Sequence, residues 1–141
     1  DHTWISLKKG KASGELVGGN LISIQTLLGT KYEPDWNEKI FFFEDIGKQI
    51  ERIDLMLTHF EDAGVFNKIN GMIIGKLVSC KPNDKEIYKM LLEKFSKYDF
   101  PIIADVPFGH TQDKLTLPIG SYISFDTAEP EIIKVQEPIV E

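Results

Sequence analysis

Apolar residues fall along this chain in two rhythms, short continuous runs and longer stretches with one apolar residue every three or four positions. Lys39–Asp45, with its three consecutive phenylalanines, and Gly71–Gly75 are apolar on both faces and predict central, buried strands. Pro101–Val106 is short, rich in β-branched residues and bounded by prolines, which predicts another. Leu16–Asn20 reads as a strand entering a tight turn, with Asn20 as the N-cap of a short helix from Leu21 to Leu28 that Gly29 stops. Ile46, Ile50, Ile53, Leu57 and Phe60 form one helical stripe, ended by Gly64. Asp84 caps a second helix whose face carries Ile87, Met90, Leu91 and Phe95. Lys114–Leu117, Ser121–Phe125 and Glu131–Val135 predict closing antiparallel strands, the first two around Pro118-Ile119-Gly120. Strand, helix, strand, helix, strand and then a meander predicts an α/β domain with mixed sheets.

The chain has 141 residues, enough for one core and too few for two comfortable domains. Its hydrophobic share of 42% argues against disorder. A net charge of -6 argues against nucleic-acid and anionic-membrane partners, which need a basic surface. No run reaches membrane-spanning length, and Asp1-His2-Thr3-Trp4 does not open a signal peptide. Cys80 is the single cysteine, so no internal disulfide is expected, and a reducing, cytoplasmic compartment is the simplest expectation. The abrupt start at Asp1 is expected to follow a removed segment, making the chain one domain of a longer protein.

Candidate chemistry gathers at strand ends. His110, in Phe108-Gly109-His110, follows the Pro101–Val106 run, where a loop presents a side chain that can act as a general base. Glu44 ends the triple-Phe strand and has the chemistry to orient such a base; alternatively, Glu44-Asp45 caps the helix that follows. Gly18-Gly19-Asn20 opens a helix, and its N–H groups either hold an anion or a carboxylate or simply make a turn that only glycine allows. His59 is expected to be a partly buried helix residue. No metal motif, Walker motif, GxGxxG fingerprint or Gly-x-Ser-x-Gly elbow is present, so neither metal nor cofactor is expected. Tyr32 and Trp36, before the Phe-rich strand, either wall an active site or anchor their loop in the core.

Gly18-Gly19-Asn20-Leu21, Leu28-Gly29-Thr30, Pro34-Asp35, Phe41–Asp45, Arg52–Leu57, Gly71–Gly75, Phe108–His110 and Leu117–Gly120 occur in that order. In this the chain resembles the C-terminal domain of the LD-carboxypeptidase family of serine peptidases, which includes muramoyltetrapeptide carboxypeptidases of cell-wall recycling and microcin C immunity peptidases. The resemblance implies a layered β/β/α domain over residues 1–141. It implies a Ser-His-Glu triad with Glu44 and His110 here and the serine on a separate N-terminal domain, absent from this chain. The histidine would take the serine proton and the glutamate would fix its tautomer. A peptide or peptide-like substrate, a homodimer when intact and no activity from this chain alone follow as expectations. The competing expectation is a non-catalytic binding domain that keeps the fold. Many members carry serine directly after Asn-Leu, where Ile22 stands here.

Overall fold

The computed structural model describes residues 4–107, 119–129 and 133–136. Its strands are β1 (Ile5–Lys8), β2 (Lys11–Asn20), β3 (Ile40–Ile46), β4 (Gly71–Val78), β5 (Ile102–Val106), β6 (Tyr122–Asp126) and β7 (Ile133–Gln136). Its helices are α1 (Leu21–Gln25), α2 (Ile50–Asp62) and α3 (Asp84–Phe95), with a 3-10 turn at Val65–Asn67. The strands form one sheet in the order β1-β5-β4-β3-β2-β6-β7. β2, β3, β4 and β5 run parallel, as their helical connections require. β1, β6 and β7 are antiparallel to their neighbours.

β2 belongs to both parts of the sheet. Leu16–Asn20 pairs with Ile40–Glu44 of β3, whereas Lys11–Glu15 pairs with β6. β6 and β7 can therefore fold over one face of the parallel strands. Leu16, Ile40, Phe42, Ile73, Ile103 and Val106 meet Ile123 and Phe125 there in one buried cluster. The side chains that alternate with these, among them Phe41, Phe43, Met72, Ile74 and Ala104, face the helices and pack on Ile53, Leu57, Phe60, Ile87, Leu91 and Phe95. β3 is apolar at consecutive positions because it serves both interfaces. The mixed sheet thus follows the pattern of the sequence, and the β/β/α layering is the one the resemblance implies. Gly71 marks where the two β layers touch: a Cβ there would lie 2.9 Å from Ala12 Cβ and 3.1 Å from Phe125 Cζ.

Several boundaries differ from expectation. β1 was not predicted; this short edge strand is tied down by Lys8, whose ammonium donates to the Phe95 and Tyr98 carbonyls. α1 ends at Gln25 rather than Leu28, and turns continue the chain. Ile46 begins no helix: it closes β3, 41% exposed, and α2 starts only at Ile50. Asn83, not Asp84, caps α3, its Oδ1 accepting from the Glu86 N–H at 2.9 Å. Asp84 instead places its charge in the first turn, where the helix dipole favours it. Lys114–Leu117, Pro118 and Glu131 lie outside the described residues.

Candidate active site

Glu44 sits at the C-terminal end of a strand in the middle of the sheet and is 6% exposed. In open parallel sheets this is the end at which ligands bind. Strand alternation puts Glu44 on the face of Phe42, toward the second β layer. Asn20 ends β2 directly beside it, as its register partner. The Asn20 amide Nδ2 donates to Glu44 Oε1 at 3.5 Å. Its Oδ1 accepts from the Ser23 N–H at 3.3 Å and from Ser23 Oγ at 3.4 Å. One amide thus caps α1, as the sequence predicted, and turns its donor end toward the carboxylate.

Gly18 and Gly19 shape this strand end through their backbone. Gly18 has φ 147°, and a Cβ on it would lie 1.8 Å from the Phe42 carbonyl oxygen, so only glycine fits. Gly19 has φ 151° but meets only Ile24, at 3.8 Å. Ile22, at the position where many family members carry serine, packs against the helix-side core.

The alternative role for Glu44-Asp45, capping the next helix, does not occur. α2 begins at Ile50 behind Gln49, which makes no side-chain cap. Asp45 is fully buried on the opposite face from Glu44; its Oδ1 accepts from the Ile46 N–H at 2.8 Å and forms an ion pair with Lys48 Nζ at 3.1 Å. Adjacent carboxylates therefore do different things: Asp45 stabilises the turn out of β3, and Glu44 faces the strand ends.

His110, with Phe108 and Gly109, lies outside the described residues, as does His2. The strand that leads to it is described through Pro107, and it closes β5 at the same end of the sheet as Glu44. His59 is exposed rather than partly buried, and its Nδ1 accepts from Gln25 Nε2 at 3.1 Å, linking α1 to α2. Trp36 is a core residue, 2% exposed and edge-on to Phe41 at 4.9 Å, whereas Tyr32 is 68% exposed. Cys80 is buried, which pushes its thiol up and disfavours the thiolate a nucleophile needs. Among the described residues no cluster of His, Cys, Asp or Glu could hold a metal ion. No helix among them is long and apolar enough to cross a membrane. A cleft of about 610 Å³ lined by Lys11, Ser13, Asn70, Phe125 and Lys134 opens at the other end of the parallel strands, away from Glu44.

Sequence reasoning missed one polar pair at the Glu44 end. Lys76 Nζ donates to Asp105 Oδ1 at 2.9 Å, joining β4 to β5. The available signal was a charged residue inside each of two otherwise apolar strands.

The family described as the LD-carboxypeptidase C-terminal domain matches residues 13–125. The "probable murein peptide carboxypeptidase" of Bacillus subtilis is 33% identical over 127 residues, covering 87% of this chain and 40% of that protein. The microcin C7 self-immunity protein MccF of Escherichia coli is 31% identical over 120 residues, covering 83% of this chain and 35% of that protein. Among solved structures, muramoyltetrapeptide carboxypeptidase from Oxalobacter formigenes superposes with a TM-score of 0.77 at 31% identity, covering 87% of this chain and 45% of that one. The chain therefore spans about two fifths of the length of the curated relatives it matches. Sequence and fold agree across both β layers and the helices: the chain belongs to the LD-carboxypeptidase family, as its C-terminal domain.

Proposed function

We propose that this chain supplies the Glu-His half of a serine carboxypeptidase whose nucleophile resides on an N-terminal domain of the same protein. The observation that carries the reading is the buried Glu44 carboxylate, held by Asn20 at the C-terminal end of a central parallel strand. A carboxylate so placed is suited to accept the ring N–H of a histidine, fix its tautomer and stabilise the imidazolium. His110 is that histidine in this proposal. It takes the serine proton as Oγ attacks the scissile carbonyl, then returns it to the leaving amine. Water, deprotonated by the same imidazole, releases the acyl group. The Gly18-Gly19-Asn20 end of β2, a strand end rather than the expected turn, borders the site and forms one lip of the substrate groove.

The substrate class is a peptide or amide near a free carboxylate, of the murein tetrapeptide kind, in keeping with the names of the relatives. A cytoplasmic location fits the single, buried thiol. The test is hydrolysis of murein tetrapeptide by the full-length protein and by this chain alone. Full-length protein turns over, and loses about three orders of magnitude in kcat on Glu44→Gln or His110→Ala. This chain alone is inactive, because it lacks nucleophile and oxyanion donors. Full activity in Glu44→Gln would remove the proposal.

A further inference from the structure

Two irregularities in the sheet fall at the level of Glu44. Between β3 and β4 the pairing passes from Phe43↔Ile74 to Asp45↔Leu77, so an extra β4 residue, at Gly75-Lys76, stands opposite Glu44. Between β4 and β5 it passes from Ile73↔Ile103 to Gly75↔Val106, so the extra residue now belongs to β5, at Ala104-Asp105. Asp105 is there in the left-handed region, with φ 63°. That conformation is uncommon for a residue with a Cβ, although aspartate tolerates it better than most. Lys76 Nζ donates to Asp105 Oδ1 at 2.9 Å, so the bulge of one strand is fastened to the bulge of the next.

The β5 bulge decides which way the chain leaves the sheet. Ile103 lies on the Glu44 face, in the cluster with Phe42. Strict alternation would send Val106, three residues on, to the helix face. Val106 instead rejoins Ile103 and Phe42 on the Glu44 face, fully buried. One extra residue has reversed the phase, and a slip that removed it would turn Val106 to the helix face. The Lys76 and Asp105 side chains are 31% and 23% exposed, so their ion pair is solvent-screened and adds little to stability. Its geometric consequence is the larger one.

We infer that Lys76 and Asp105 form a positioning pair: by fastening the two bulges together they set the phase in which β5 ends, with Val106 on the Glu44 face, ahead of the segment that carries His110. The inference rests on Glu44 and His110 being the catalytic carboxylate and base. Neither Lys76 nor Asp105 touches the reacting atoms in this account.

The experiment is steady-state hydrolysis of murein tetrapeptide by the full-length protein, with thermal melting of each variant. Asp105→Asn keeps a residue that tolerates the left-handed region and removes the charge; Lys76→Met removes the other partner. Each lowers kcat about tenfold or more, as a small displacement of a catalytic group does, and leaves KM within about twofold. The acid limb of the kcat/KM profile moves to lower pH, because a displaced carboxylate no longer favours the imidazolium. Lys76→Arg restores most of the activity, and the double variant is no worse than the poorer single one. Wild-type kcat in both Lys76→Met and Asp105→Asn, or a loss no larger than the fall in folded fraction, overturns the inference. Glu44→Gln in the same assay separates the two levels. If it is inactive while Lys76→Met is normal, only the positioning pair fails; if Glu44→Gln is fully active, the dyad and the pair fall together.

Discussion

The amide nitrogen of Asn20 lies 3.5 Å from the carboxylate of Glu44, and the two residues are register partners at the ends of adjacent parallel strands. The same side chain caps α1 through its oxygen, so its two ends can be tested separately. Asn20→Ser keeps a good cap and loses the donor. It is expected to stay within about 0.5 kcal/mol of wild type in urea unfolding and to lose about tenfold in kcat/KM as the full-length enzyme. Asn20→Asp also keeps the cap but sets a second carboxylate against Glu44. Like charges raise the proton affinity of the pair, so this variant loses about 1 kcal/mol at pH 7 and regains it as the pH falls and the pair takes up a proton. Equal stability of Asn20→Asp and Asn20→Ser across that range would show that the two side chains are not coupled.

Gly18 and Gly19 share a backbone conformation and differ in room. Gly18→Ala would drive its Cβ to 1.8 Å from the Phe42 carbonyl and separate β2 from β3. It is expected to lose more than about 3 kcal/mol, as overpacking and backbone strain add. Gly19→Ala meets only Ile24 and carries the strain alone, about 1–2 kcal/mol. Chemical denaturation of the two variants side by side gives the ranking.

Trp36 and Tyr32, four residues apart, have separate fates. Trp36 packs on Phe41 and Phe60, and its indole N–H donates to Glu33 Oε2 at 3.0 Å. Trp36→Ala is expected to lose about 3–5 kcal/mol, and Tyr32→Ala less than about 0.5 kcal/mol. A large effect at the exposed Tyr32 would contradict the packing described.

The strong patterns of this sequence were legible where one interaction dominates. β3 announces itself because both of its faces are buried, and the Asn20 cap because its side chain satisfies helix donors with no help from distant residues. What was not legible depends on pairings between remote segments. β1 is only four residues long, with just Ile5 and Leu7 apolar, and becomes a strand by pairing with the edge that β5 offers. Ile46 completes the spacing of a helical stripe, yet its pairing with Val78 keeps it in β3. The left-handed Asp105 leaves no mark in local sequence, since its bulge exists only relative to β4. At the site, Glu44 could be placed by its strand, but its contact with Asn20 required knowing that β2 and β3 are parallel neighbours in that register.

Glu61 and Tyr98 give the fold a measurable pH dependence. Tyr98 OH donates to Glu61 Oε2 at 2.7 Å, with Lys97 Nζ 3.0 Å from the same oxygen. The Tyr98 hydroxyl, then Lys97, hold the Glu61 carboxyl below its usual range against the opposing effect of burial. Burial and the Glu61 bond together push the Tyr98 phenol up to about 12. The depressed carboxylate stabilises the fold above the ordinary carboxylate range, and that contribution is lost as pH falls through and below it. The raised phenol acts at the other limb: the unfolded chain ionises first, so stability is lost as pH rises from about 10 toward about 12. Tyr98→Phe is expected to lose about 1 kcal/mol at neutral pH and to flatten both limbs in urea midpoints taken across the range.

The imidazole of His110 tests the central claim most directly, because a carboxylate beside an imidazole raises its pKa. In this chain, with His110 assigned by proton–nitrogen NMR, the titration midpoint is predicted to fall by about one unit or more on Glu44→Gln, since the imidazolium loses its counter-charge. An Asp54→Asn control, a charge removed from α2 and already paired with Lys94, leaves it unchanged. A His110 midpoint that is the same with and without the Glu44 charge would contradict the proposed dyad.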